Sequence, residues 1–360
     1  MRIALDAMGG DYGPSVVVEG ALLAAAEYGQ SVELVLVGNS RMIDSECERH
    51  KLGTPPFEIM HTTETVGMSE NAIRAYRTKK NSSLTVSLDL QKKGKVSATV
   101  SAGHTGAVMT HSLFLLGRLS GVHRPAIAVV LPTEKDKVVV VDVGANPDCK
   151  AHHMYQFGVM GSVYASVIHA KKNPKVGLLS IGEESSKGNE LTLDTHKLFT
   201  KSNLNFNGNI EGRDILTGKC DVVVCDGFVG NVILKFAESV GGFIRSQTKR
   251  QVGKNLISNL GALLIRPAMR RVREKMDYAE YGGAPLLGID GICIVCHGGS
   301  SAKAIKNAIG VAAVMAADKL NLKIKKHLEA NGNLSNGATK DGKQTSIDQA
   351  DHQMDSINEG

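Results

Sequence analysis

The sequence predicts an α/β fold in layers, with a large, mostly parallel sheet flanked by helices, and three observations predict it. Short runs of Val, Ile, Leu and Ala recur along the chain. Ala- or Leu-rich stretches with helical spacing separate most of them. Segments rich in glycine and polar residues stand where the runs end. Continuous apolar runs are strands buried on both faces, and helices between them are the crossovers that parallel strands require. Ligands of such sheets bind beyond the carboxyl ends of strands.

In chain order, the first strand covers residues 3–7 and leaves through DAMGGD (6–11). A helix over 16–28 and a strand over 32–37 follow. The run at 98–101 ends in SAGHTGA (101–107) and leads to a helix over 108–119. Strands at 126–131 and 138–143 precede DVGANPD (142–148), and a strand at 176–181 precedes GEESSKGN (182–189). The run at 222–224 ends in CDGFVGN (225–231), and the one at 292–295 ends in CHGGSS (296–301). Each exit can place backbone N–H groups at a helix start, where glycine permits close approach and anions are favoured. Six such exits on one chain predict a shared site.

Residues 228–283 read as a protruding helical region. Its window 245–275 carries nine Lys/Arg and one acid around the apolar residues Leu256, Ile257, Leu260, Leu263, Leu264 and Ile265. A basic helix pair with an apolar tip fits a contact with an anionic membrane surface, a dimer interface, or both. Residues 331–360 have no aromatic residue and few apolar ones, so they predict a disordered polar tail beyond a catalytic α/β domain at 1–330.

Composition narrows the class. With 360 residues, 42% of them hydrophobic and 39 glycines, the chain can bury a substantial core, which excludes bulk disorder. Only 4% of residues are aromatic and none is Trp, so stacking platforms for nucleic acid are scarce and no nucleic-acid partner is expected. A net charge of +6 suits anionic partners. Six cysteines without a signal peptide predict free thiols in a reducing cytosol. No apolar stretch approaches the roughly 18 residues needed to span a bilayer.

Several motifs fail. The segment 212–220 has its glycines too far apart for a P-loop, and Cys220 stands where Ser or Thr must hold magnesium. Cys293 and Cys296 have zinc or redox spacing but lie in an apolar run without a second pair, and His152–His153 reads as a helix-start or surface pair. No GxGxxG follows the first strand, and HExxH is absent. No metal and no cofactor is expected.

What holds is the set of blocks taken together. DAMGGDYGP (6–14), SAGHTGAVM (101–109), DVGANPDC (142–149), GEESSKGNE (182–190), CDGFVGNVILK (225–235) and YGGAPLLG (281–288) with HGGSS (297–301) resemble the bacterial phosphate acyltransferases of phospholipid synthesis, the PlsX family. The blocks occur in order over residues 1 to about 325. The resemblance implies transfer of a fatty acyl group from acyl-[acyl-carrier protein] to inorganic phosphate, giving acyl phosphate. It also implies a cytoplasmic homodimer, peripherally membrane-associated, with a fold related to isocitrate dehydrogenase and phosphotransacetylase. One departure matters: many members carry lysine where this chain has Val295, so positive charge must come from elsewhere. A phosphotransacylase acting on acyl-CoA or acetyl-CoA, and a non-catalytic membrane-binding scaffold, are the alternatives. Retention of every polar exit argues against the scaffold.

Phosphate dianion is itself a nucleophile, so attack on a thioester needs no Ser/His pair. The protein must supply position, an anion pocket and oxyanion donors. Lys187 is the first candidate for phosphate or oxyanion, with Asn231 and Asn146 as neutral donors. His104 and His297 are candidates for protonating the departing thiolate. Asp6, Asp142 and Asp226 each end a strand and are expected to orient lysines, histidines and loop N–H groups. Gly9, Gly10, Ser101, Gly103, Gly188 and Gly227 complete the candidate substrate-binding set.

Overall fold

The computed structural model describes residues 1–51, 54–251, 261, 263–268, 270 and 281–330. Strands β1 (Arg2–Asp6), β2 (Glu33–Gly38), β3 (Glu58–His61) and β4 (Ala98–Ser101) alternate with helices α1 (Ser15–Tyr28), α2 (Ser40–Arg49), α3 (Ala72–Thr78) and α4 (Ser83–Lys92). Then come α5 (Thr105–Leu115), β5 (Ala126–Pro132), β6 (Lys137–Val141), α6 (Ala151–Ile168), β7 (Val176–Leu179), α7 (Glu190–Thr200), β8 (Phe206–Ile210) and β9 (Val222–Val224). The long α8 (Gly227–Gln251), β10 (Ala284–Leu287), β11 (Cys293–Val295), α9 (Ala302–Ala317) and α10 (Leu320–Ala330) complete the described chain. Asn39, Asn71, Ser82, Asn189 and Ser301 start α2, α3, α4, α7 and α9 by accepting a backbone N–H from the first turn.

Among the described residues eleven strands form one sheet in the order β3-β2-β1-β4-β11-β10-β5-β6-β9-β7-β8. The expected α/β layers are present, and the outer strands are parallel as predicted. The centre departs from that expectation, because β10 is antiparallel to both β11 and β5, and β5 is antiparallel to β6. The half holding β1–β4 and β11 therefore runs opposite to the half holding β6–β9. The six exits do not leave one edge. Those of β1, β4 and β11 leave one edge, and those of β6, β7 and β9 leave the other.

Alternating side chains divide the interior. Ile3 and Leu5 of β1, with Leu34 and Leu36 of β2, pack into a cluster that also holds α1, α6, α9 and α10. Ile127 and Leu131 of β5 and Val138 and Val140 of β6 face the opposite side, with Leu84 and Leu88 of α4 and Ala107 and Val108 of α5. Three strands have no counterpart among the expected runs. β3 and β8 are the sheet edges and carry polar residues, as edge strands do, and β10 contains Pro285. The helix expected to reach residue 119 stops at Leu115, before Gly117 with φ +82°. The strand expected to reach 181 stops at Leu179, and Ile181 is exposed.

Candidate active site

At the first edge the exits of β1, β4 and β11 meet. Both oxygens of the buried Asp6 accept hydroxyls, Ser83 at 2.6 Å and Ser101 at 2.6 Å. Burial raises the Asp6 pKa, and these hydroxyl bonds oppose the rise. Ser101 Oγ in turn accepts the Gly103 N–H at 3.0 Å. A Cβ on Gly9 would stand 2.8 Å from Asp6 Oδ2 and 2.8 Å from the Gly103 nitrogen, which is why that loop admits only glycine. Gly10 adopts φ +94° beside the Gly298 carbonyl, and the Asp11 N–H donates to that carbonyl at 2.9 Å.

At the opposite edge Asp142 organises the loops after β6 and β9. Its Oδ1 accepts N–H groups of Ile127, Gly144 and Ala145 at 3.0, 3.3 and 3.1 Å. Its Oδ2 accepts the Asn146 backbone N–H at 2.7 Å and side-chain Nδ2 at 2.9 Å. Burial pushes the Asp142 carboxyl pKa up, against these donors. The Asn146 carbonyl accepts the Gly227 N–H at 2.8 Å, and Asp226 opens α8 by accepting the Val229 N–H at 2.9 Å. A Cβ on Gly230 would fall 1.9 Å from the Asp142 carbonyl oxygen, so α8 sits directly on the β6 exit. Of the partners expected for the three aspartates, only loop N–H groups are found, and the side-chain oxygens of Asp6 accept hydroxyls instead. Their hydrogen bonds reach no lysine or histidine among the described residues.

The loop after β7 is self-braced. The Lys187 N–H donates to the Glu184 carbonyl at 3.0 Å, Ser180 Oγ donates to the Lys187 carbonyl at 3.1 Å, and Asn209 Nδ2 donates to the Glu184 carbonyl at 2.9 Å. Gly188 has φ +124°. The Lys187 side chain is exposed, lies over Gly182 and forms no ion pair with a described residue.

Between the two edges, over the antiparallel centre of the sheet, lies a cavity of about 390 Å³. Its floor is apolar, with Ile127, Val129 and Leu131 of β5 and Val295 of β11. One wall is the start of α5, with His104 and Met109, joined by His297. The other is α8, with Asn231, Leu234, Lys235 and Glu238. A largely apolar pocket with a few convergent polar groups is the form that small-molecule sites take. His104 occupies the N-cap position of α5, and its Nδ1 is buried without a hydrogen-bond partner. His297 Nδ1 accepts the Gly299 N–H at 3.0 Å, which leaves Nε2 as the protonated nitrogen of the neutral ring.

Of the residues expected at a site, the fold brings His104, His297 and Asn231 to this cavity. Asp6, Gly9, Gly10, Ser101 and Gly103 brace the first edge, and Asn146, Asp226 and Gly227 brace the second. Lys187 and Gly188 stand in the exit next to that of β9. Lys235, Glu238 and Gly144 line the cavity without having been singled out. Helical spacing from Asn231 was the available signal for the first two.

All six cysteines are free, and burial pushes Cys293 and Cys296 up to about 11 and about 12, far from thiolate nucleophiles. His153 is likewise held down to about 4, first by burial and then by its cationic neighbours. Among the described residues no cluster of His, Cys, Asp or Glu could hold a metal ion.

The outer side of α8 exposes Phe228, Val232, Phe236 and Phe243. Leu263, Leu264 and Ile265 are helical and 61%, 75% and 55% exposed. Leu256, Ile257 and Leu260, and the expected tail 331–360, lie outside the described residues. One expectation needs correction: Gly227–Ile244 is long enough to cross a membrane and reaches a mean hydropathy of 1.2. Lys235 and Glu238 interrupt its sequence, which hid it from a reading by unbroken apolar runs.

A family profile described as "Fatty acid synthesis protein" matches residues 1–323. A "Phosphate acyltransferase" of Pelobacter propionicus is 51% identical over 312 residues, covering 87% of this chain and 90% of the relative. One of Pelotomaculum thermopropionicum is 49% identical over 330 residues, covering 92% and 96%. Among solved structures, a phosphotransacetylase from Streptococcus pyogenes aligns with a TM-score of 0.58 at 18% identity, covering 88% of this chain and 94% of that one. A branched-chain phosphotransacylase from Enterococcus faecalis aligns at 0.56 and 11%, covering 88% and 99%. At those identities the likeness establishes the fold, and it bears out the expected resemblance of this fold to that of phosphotransacetylases.

Proposed function

The chain belongs to the fatty acid synthesis protein family and is an acyltransferase, and on that premise we propose that it moves a fatty acyl group from the thioester of an acyl carrier protein to inorganic phosphate. A phosphate oxygen attacks the thioester carbonyl carbon and forms the C–O bond. The carbonyl oxygen becomes the oxyanion of a tetrahedral intermediate. Its collapse breaks the C–S bond, and the thiolate leaves with a proton drawn from the site. The products are acyl phosphate and the free carrier thiol.

The observation that carries this reading is the cavity of about 390 Å³: an apolar floor of the chemistry an alkyl chain prefers, bracketed by two histidines on one wall and an amide and an ammonium on the other. The Asn231 amide suits the oxyanion, and each donor fixed in place spares reorganisation during reaction. His104 and His297 suit the departing sulfur. Lys187, in the neighbouring exit, supplies a second unpaired cation toward phosphate. The same group of proposals includes a dimer formed by two copies through the exposed aromatic side of α8. It also includes peripheral attachment of a cytoplasmic enzyme to anionic lipid through the leucines at 263 and 264.

Purified protein should consume acyl-carrier thioester only when phosphate is present, with acyl phosphate trapped by hydroxylamine. Phosphate-independent loss, or none at all, would overturn the reading. The fold likeness to phosphotransacylases keeps a second donor in view, and the same assay with acyl-CoA in place of the carrier decides between them.

A further inference from the structure

Helix α8 turns Asn231, Leu234, Lys235 and Glu238 to the cavity, the i, i+3, i+4, i+7 stripe of one helical face. Of the described lining residues, Lys235 is the single lysine or arginine. Its ammonium makes no hydrogen bond or ion pair with any described residue, Glu238 of the same face included. The floor offers no charge to replace it, since Val295, buried at the end of β11, is apolar.

A cation one turn beyond Asn231, with no ion-pair partner among the described residues and at the wall of a cavity with an apolar floor, calls for an anionic ligand. We infer that Lys235 is the phosphate-binding cation of this site, holding inorganic phosphate against an acyl carbonyl polarised at Asn231. This rests on the acyl-transfer reading. Lysine acts on phosphate as a point charge, and Lys235 is exposed at the cavity wall, within reach of phosphate arriving from solvent. Glu238 stands close enough in sequence to share the cavity face, so it weakens phosphate binding and assists release of the acyl phosphate. The same chemistry could serve the phosphodiester of a pantetheine arm, and kinetics with each substrate varied separately tells these sources apart.

The test uses the full chain and four proteins: wild type, Lys235→Gln, Lys235→Arg and Glu238→Gln. Lys235→Gln should raise the KM for phosphate at least about tenfold, or about 1.4 kcal/mol, with the thioester KM within about twofold. The arginine variant should recover most of that loss, and Glu238→Gln should lower the phosphate KM. At fixed ionic strength phosphate should raise the melting temperature of wild type, and this rise should vanish in Lys235→Gln. An unchanged phosphate KM in Lys235→Gln, or a rise confined to the thioester KM, overturns the assignment. Should that variant fail to fold, an unchanged phosphate KM in Glu238→Gln overturns it instead. Wild type that phosphate stabilises but that turns over no thioester defeats the acyl-transfer reading and leaves the assignment of the lysine standing.

Discussion

Asp6 and Asp142 are the most deeply buried carboxylates described, and hydroxyls and N–H groups, not cations, satisfy them. Groups committed in this way to holding loops together leave the chemistry to other side chains: the unpartnered His104 Nδ1, the Asn231 amide and the lysines. For Lys187, replacement by Ala should lower turnover at least about tenfold, about 1.4 kcal/mol of transition-state stabilisation, with the circular dichroism unchanged. Near-wild-type kinetics at saturating substrates would make it a surface lysine. His104, His297 and Asn231 were legible in the sequence because each follows an apolar run with glycines beside it. Lys235 was not, because a lysine inside a helix takes its meaning from the direction its face points, and that direction is set by Gly230 packing on the Asp142 carbonyl.

At the scale of elements, the buried parallel strands were legible because both faces demand apolar residues. Edge strands β3 and β8 were not, since one-sided pairing tolerates the polar residues that also fill loops. Helix α8 shows how a single element can carry two assignments. One side lines the cavity and the opposite side shows aromatic residues to solvent, so its average hydropathy resembles that of a membrane span although its sides differ. The exposed leucines that follow make a separate test. Leu263→Glu with Leu264→Glu should abolish sedimentation with anionic vesicles while acyl transfer in solution stays largely intact. Persistent vesicle binding would remove these residues as the anchor, and a monomeric, inactive variant would place them in a subunit interface.

For the whole molecule, the reversal of strand direction at the centre decides where a ligand can sit. Two half-sheets of opposite sense bring α5 and α8 to the same cavity from opposite sides, so the site belongs to neither half alone. The layered fold was legible, but this reversal was not. Direction is decided by pairing: β10, only four residues long, is antiparallel to both β11 and β5 and so leaves these two in the same sense, and the reversal falls at the antiparallel β5–β6 pair. That short strand also has a mechanical consequence. It gives Ala284 and Pro285 to β11 and Leu286 and Leu287 to β5, and Pro285 can donate no hydrogen bond. On one face α6 packs against α9 and α10 across the join, whereas on the other face the space between α5 and α8 is the cavity. The molecule is thus a book bound along α6, with its open side where substrate enters. Hydrogen exchange should find the amides of β10 and the first turns of α8 less protected than those of β1. Protection there should rise when phosphate and thioester analogue are added, and α6 should not respond. Uniform, ligand-independent protection across β10 would mean that the spine does not bend, and that acyl chains must thread in from the end.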